Sequence, residues 1–176
     1  MDRFPLLALI AALATSGFSQ EKEREASLES KRVEQRVCAD AIEQALSKAT
    51  TIELFAIDYR FYKSEEEAAK DPRPKFLDWR VAGQATLTDR TAILALGSAL
   101  VAGIKESKVG SVAGCFNPRH AFRWTVEGKE ITVIVCFQCS NGGVIGLEPL
   151  KRFLTTKSPE ETFDRIFSAA GLPKVK

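Results

Sequence analysis

The stretch that most constrains this fold is Ile131-Thr132-Val133-Ile134-Val135-Cys136-Phe137, nearly all apolar and rich in β-branched side chains. Branched side chains lose little freedom on a pleated surface, and an unbroken apolar run needs cover on both sides. The composition therefore predicts a central β-strand rather than an edge. Its flanks agree. Ala121 to Glu127 alternates, with Phe122, Trp124 and Val126 set against Arg123, Thr125 and Glu127, and Gly128 follows as a turn residue. On the other side Asn141-Gly142 is a strong hairpin signal, and Val144 to Leu147 returns as a further strand. Residues 121–147 thus read as a three-stranded antiparallel meander.

The same region carries most of the reactive side chains. Three of the four cysteines and the single histidine lie in Cys115-Phe116-Asn117-Pro118-Arg119-His120 and Cys136-Phe137-Gln138-Cys139. Cys115, His120, Cys136 and Cys139 have the types and number of a structural zinc site, which is tetrahedral and commonly built from three cysteines and a histidine. Cys136-x-x-Cys139 is a familiar half-site, whereas the spacing from Cys115 to His120 is not. Disulfide chemistry competes, because four cysteines allow three full pairings among which sequence does not choose. Cys115 can bridge to Cys136 or to Cys139. A Cys136–Cys139 disulfide is also a redox candidate. Such pairs usually work at a helix N-terminus, where the dipole lowers a thiol pKa, and this one ends a strand. The plainest reading is buried cysteines without a special role and a surface histidine.

Strand geometry separates these readings. Residues three apart on a straight strand face opposite sides, so Cys136 and Cys139 converge only if the chain bends after Phe137. Arg119 and Arg123, with Arg80 and a tryptophan nearby, are candidates for an anion contact, weighed against ordinary solvated arginines. Cys38 stands apart, on the apolar stripe of a helix, and reads as a small buried hydrophobe.

That helix is expected over residues 20–49, with Glu21, Glu23 and Glu25 in its opening turns and an apolar stripe from Val33 through Ala49. Thr51 to Tyr59 follows as a strand, with Ile52, Leu54 and Ala56 on one face and Phe55, Ile57 and Tyr59 on the other. Ser64-Glu65-Glu66-Glu67 fits a capping box for a short helix. Phe76 to Leu87 alternates as one half-buried strand, and Gly83 within it suggests a bulge or a close backbone approach. A helix over 88–106 carries Ile93, Leu96, Leu100 and Ile104, with Gly97 and Gly103 permitting close packing. Glu148 to Lys157 reads as an irregular connection. Ser158-Pro159-Glu160-Glu161 then starts a last helix, over 158–170, with serine as cap and proline at the first helical position.

Residues 1–19 read as a secretory signal, with Phe4 to Ala14 as an apolar core too short to cross a bilayer. The expectation is an exported protein, periplasmic or extracellular, with no membrane span after cleavage. Of the residues, 45% are apolar and 27% charged, an ordinary globular balance. A net charge of +2, from 25 basic and 23 acidic residues, argues against a nucleic-acid partner. No glycine-rich phosphate loop and no His-Glu-x-x-His is present.

The two cysteine-bearing segments, with Trp79-Arg80-Val81-Ala82-Gly83 upstream and the last helix downstream, resemble a family of uncharacterised exported bacterial proteins. Its members carry a Cys-Phe-x-Pro-Arg-His segment followed by a Cys-Phe-x-Cys strand, often with glutamate where this chain has Gln138. The resemblance implies that Cys115, Arg119, His120, Cys136 and Cys139 act as one constellation, and it implies no activity. The expected fold is α+β: an antiparallel sheet of about five strands, two packed helices and a long N-terminal helix. The domain plan is a signal over 1–19, a helix over 20–49 and one α+β domain over 50–176.

Two functions fit this reading. One is an exported, non-enzymatic binding or interaction domain for an unknown protein or small molecule, stabilised by the Cys/His cluster through structural zinc or a disulfide. The other is a thiol–disulfide oxidoreductase using Cys136 and Cys139. Exposure separates them, since a redox thiol must be reachable and a structural sulfur is buried.

Overall fold

The computed structural model describes residues 6–60, 65–109, 115–150 and 152–175, with side chains described from Gln20 onward except those of Glu65 and Ala68. The expected export signal, residues 1–19, falls wholly outside those side chains, and Ser64 of the expected capping box lies outside the described residues. The chain divides into two units, 1–34 and 35–176. A helix, α1 (Leu6–Ser47), runs through the boundary. In the first unit its described side chains are all exposed, among them Leu28 and Val33, and Arg32 pairs with Glu29 one turn away. No helix among the described residues is long and apolar enough to cross a membrane.

The second unit is α+β. Its elements are the end of α1, β1 (Ile52–Asp58), α2 (Glu65–Lys70), β2 (Lys75–Phe76), β3 (Trp79–Leu87), α3 (Arg90–Glu106), β4 (His120–Val126), β5 (Lys129–Cys136), β6 (Asn141–Ile145), β7 (Arg152–Leu154) and α4 (Glu160–Ala169). The strands form one antiparallel sheet of seven in the order β2-β3-β1-β4-β5-β6-β7. The expected five strands are therefore corrected to seven, for two local reasons. Phe76–Leu87 is not one strand: it folds back at Leu77-Asp78, with Leu77 at φ 54°, and Phe76 pairs with Trp79. Within the expected irregular connection, Arg152–Leu154 pairs with β6. Both additions are short edge strands, which leave few unpaired backbone groups for another chain to join.

The meander forms as expected, but its second turn lies elsewhere. The chain turns through Phe137–Ser140, where Ser140 N–H bonds Phe137 O and Ser140 has φ 54°, so Asn141-Gly142 opens β6 instead of making the turn. The first turn is Glu127-Gly128, both at positive φ, between paired Val126 and Lys129.

One face of the sheet carries the main core. Leu54, Phe122, Trp124, Val133, Val135 and Phe153 pack there against Ile42 and Leu46 of α1, Leu96 and Leu100 of α3, and Phe163 of α4. The last turns of α1 thus belong to the domain, with Cys38, Ala39 and Ile42 at most 1% exposed, whereas Val37 of the expected stripe is exposed. The carbonyls that α1 leaves unpaired at its C-terminus accept from the Arg90 guanidinium, which reaches Ala49 O at 2.5 Å and also Ser47 O. The opposite face carries a smaller cluster of Phe55, Ile57, Phe76, Val81, Ala121 and Ile134, with Trp79 and Phe116 against it. A bulge links the two. The β1–β3 register slips between Ala56 and Ile57, so Ala85 and Leu87 face the main core while Trp79 and Val81 face the other way. Gly83 sits at that slip, and a Cβ there would lie 2.7 Å from Pro173 Cδ.

Candidate functional site

The sequence-predicted residues gather at one end of the sheet, where β1 finishes, β4 begins and β5 turns. They fall on opposite faces of it.

Cys136 follows Ile134 on the small-core face. The bend after Phe137 brings Cys139 back beneath it, and the two form a disulfide with Cα atoms 5.2 Å apart. Both are buried, at 1% and 2% exposure. Cys139 N–H points at Cys136 Sγ at 3.1 Å, and Asn117 N–H points at Cys139 Sγ at 3.5 Å. Cys115 is free and exposed, yet its sulfur lies 3.5 Å from Cys139 Sγ. Phe116 beside it packs edge-on against Trp79, which fixes this segment under the sheet.

His120 takes the other side. It is buried among the rings of Phe137, Phe163 and Phe167, the last with its centroid 4.8 Å away. Burial pushes its pKa down to about 4 against the opposing pull of Asp164, so the ring is neutral at pH 7. A neutral imidazole facing a carboxylate at 3.0 Å must donate, which assigns the proton to Nε2, bonded to Asp164 Oδ1. Asp164 Oδ2 pairs with Lys174 Nζ at 2.5 Å. The four expected zinc ligands thus split: three cysteines on one face and His120 on the other, held by Asp164. Among the described residues no three His, Cys, Asp or Glu side chains are grouped to hold a metal ion.

His120 and Asp164 line a cleft of about 990 Å³. Ala56, Phe167, Leu172 and Pro173 give it apolar walls, and Arg119, Lys157, Arg165 and Lys174 face Glu160, Glu161 and Asp164 around it. Arg119 is short of partners. Its guanidinium reaches Gln138 Oε1 at 3.4 Å and Glu160 Oε1 only at 4.0 Å, while its Nε is buried with no hydrogen-bond partner among the described residues. It lies 5.4 Å from the Tyr59 ring centroid.

Arg123, the other expected anion contact, does not join it. Arg123 lies over Phe55 and Phe76 on the small-core face, at 5.3 and 6.0 Å, and its charge is met by Glu53 and, at 3.6 Å, by Glu130. Arg80 faces Asp58 at 4.0 Å, a carboxylate only 1% exposed that accepts from Arg60 at 2.7 Å and Arg73 at 2.9 Å. Those bonds, Arg60 first, hold Asp58 well below the usual carboxylate range. Cys38 is the buried hydrophobe expected, its thiol pushed up to about 11 by burial.

Asp164, Lys174 and Glu160 were not legible as site residues. Asp164 directly follows Phe163 on an amphipathic helix, where an acid reads as solvated surface, and only the packing of α4 over the start of β4 sets it against His120. No protein-family model, curated protein or solved structure matches the chain.

Proposed function

We propose that this chain is an exported binding domain whose ligand is a small carboxylate with an apolar body, held in the cleft beside His120. The observation that supports it is the guanidinium of Arg119, lining a cleft with apolar walls and left without a close carboxylate. Guanidinium binds carboxylate with two parallel hydrogen bonds, and among the described residues the terminal nitrogens of Arg119 reach only Gln138 Oε1 at 3.4 Å and Glu160 Oε1 at 4.0 Å. Asp164 does not compete for the ligand's cation partner, because both its oxygens are already engaged by His120 and Lys174. The disulfide closes the turn that carries Gln138, the side chain holding Arg119 from behind.

The test is a titration of the purified chain with octanoate and octan-1-ol, followed by isothermal calorimetry and amide NMR shifts. Octanoate is expected to saturate, with shifts at Arg119, His120 and Phe167, and to bind at least tenfold more tightly than the alcohol. Arg119→Gln should remove that preference. Equal binding of acid and alcohol, or an unchanged preference in Arg119→Gln, refutes the reading.

A further inference from the structure

We propose that Cys115 is the entry thiol of a thiol–disulfide exchange centre whose disulfide is stored out of reach at Cys136–Cys139. An external thiol cannot meet that bond directly, because both sulfurs are buried. Cys115 meets both requirements at once: it is exposed, and its Sγ stands 3.5 Å from Cys139 Sγ, the separation of reactants poised for attack.

The step balances within the chain. The Cys115 thiolate attacks Cys139 Sγ, the new bond Cys115–Cys139 forms, the Cys136–Cys139 bond breaks, and the Cys136 sulfur leaves with the electron pair and takes up the proton that Cys115 lost. No oxidant is consumed, since one disulfide and one thiol exist before and after. The backbone supports the leaving group, because Cys139 N–H already points at Cys136 Sγ at 3.1 Å, where negative charge develops. Asn117 N–H at Cys139 Sγ ties the entry segment to the sulfur it must reach.

The rearrangement carries the disulfide to the surface. There a dithiol substrate can attack Cys115 Sγ, displacing the Cys139 thiolate and forming a mixed disulfide. Its second thiolate then attacks its own sulfur in that mixed disulfide and releases Cys115. The substrate leaves oxidised by two electrons and the chain keeps three thiols at the centre. This chemistry uses the face of the sheet opposite the cleft and does not rest on the carboxylate reading.

The experiment follows reduction of the folded, full-length chain by equimolar dithiothreitol, quenched with iodoacetamide and mapped by peptide mass spectrometry. The wild-type disulfide is expected to be reduced at least tenfold faster than that of Cys115→Ser. Cys136→Ser should contain a Cys115–Cys139 bond. Should Cys115→Ser not fold, wild type alkylated at Cys115 in the native state provides the same comparison. Equal rates with and without the Cys115 thiol overturn the proposal. So does the absence of a Cys115–Cys139 bond in Cys136→Ser, or an isolated chain with four free thiols and one bound zinc. Octanoate binding is read on the same samples, so failure of either proposal is seen apart from the other.

Discussion

One face of the sheet is roofed by α3, α4 and the last turns of α1; the other is covered by the β2–β3 hairpin, the Phe116 segment and the Arg123 guanidinium laid over two phenylalanines. The helical face buries its titratable group, His120, in an aromatic box and makes it conform by shifting its pKa. The thinner face keeps its reactive group, Cys115, in the open and buries only the sulfurs it would attack. A thick core gives precise placement at the cost of access, whereas a thin one leaves a segment that a substrate can approach.

The largest expected effect is on the roofed face. Phe163 is 0% exposed and touches His120, Phe122, Phe137 and Phe167. Phe163→Ala should cost about 4 kcal/mol in urea unfolding. Phe76→Ala, on the two-residue edge strand of the other face, should cost about 2 kcal/mol less, because a short edge can close over the gap. Equal losses would break the distinction between a main core and a satellite.

The second effect is pH-dependent. His120 resists a proton that the unfolded chain accepts near pH 6.5 and that the folded chain takes up only near 4. The unfolded state therefore binds more protons in this window, and stability falls as pH drops from about 6.5 to about 4, by roughly 3 kcal/mol. His120→Phe should flatten that slope. Asp58 acts in a lower window: its depressed pKa contributes stability above about pH 4 that is lost on further acidification. Urea midpoints at pH 7, 5.5, 4.5 and 3 for both proteins separate the two groups, the first three reading His120 and the last adding Asp58.

What sequence reveals here depends on the range of the interaction. The meander is legible because β-branched content and turn residues are local, and α3 because its apolar spacing repeats over four turns. The faces of β1 are legible too, since Ile52 and Leu54 alternate with Phe55 and Ile57 as the period of two requires. The break in Phe76–Leu87 is not, because Leu77 is an unusual residue for positive φ and the alternation runs on across the turn. The Cys/His constellation is legible as a set of neighbours, since all lie at one end of the sheet. Its partition is not, because one bend after Phe137 and the packing of α4, some forty residues away from His120, decide which sulfur meets which group.

The third effect tests the thinner face. The Cys136–Cys139 bond closes a short loop, for which chain entropy allows about 2 kcal/mol of stabilisation. Replacing both residues with alanine should cost that much and leave the pH slope of His120 intact, because His120 faces the other side of the sheet and Phe137, inside the loop, is held against it by Phe163 as well as by the turn. A changed slope in the double variant would show that the two faces communicate through the turn.

The smallest effect probes the residue where β3 changes faces. A Cβ on Gly83 meets Pro173 Cδ at 2.7 Å and Leu172 Cδ2 at 3.1 Å, so Gly83→Ala forces the C-terminal segment outward. That segment follows Gly171 at φ 79° and packs by Leu172, 8% exposed, so it can give more easily than a strand. The expected loss is about 1 kcal/mol, the low end of overpacking. Pro173→Ala removes the atom in conflict, so adding it to Gly83→Ala should recover most of the loss, a non-additivity that a double-mutant cycle in urea reads directly. If the losses simply add, the bulge itself, and not the tail, is what requires glycine there. The change of face in β3 would then be a property of the strand alone.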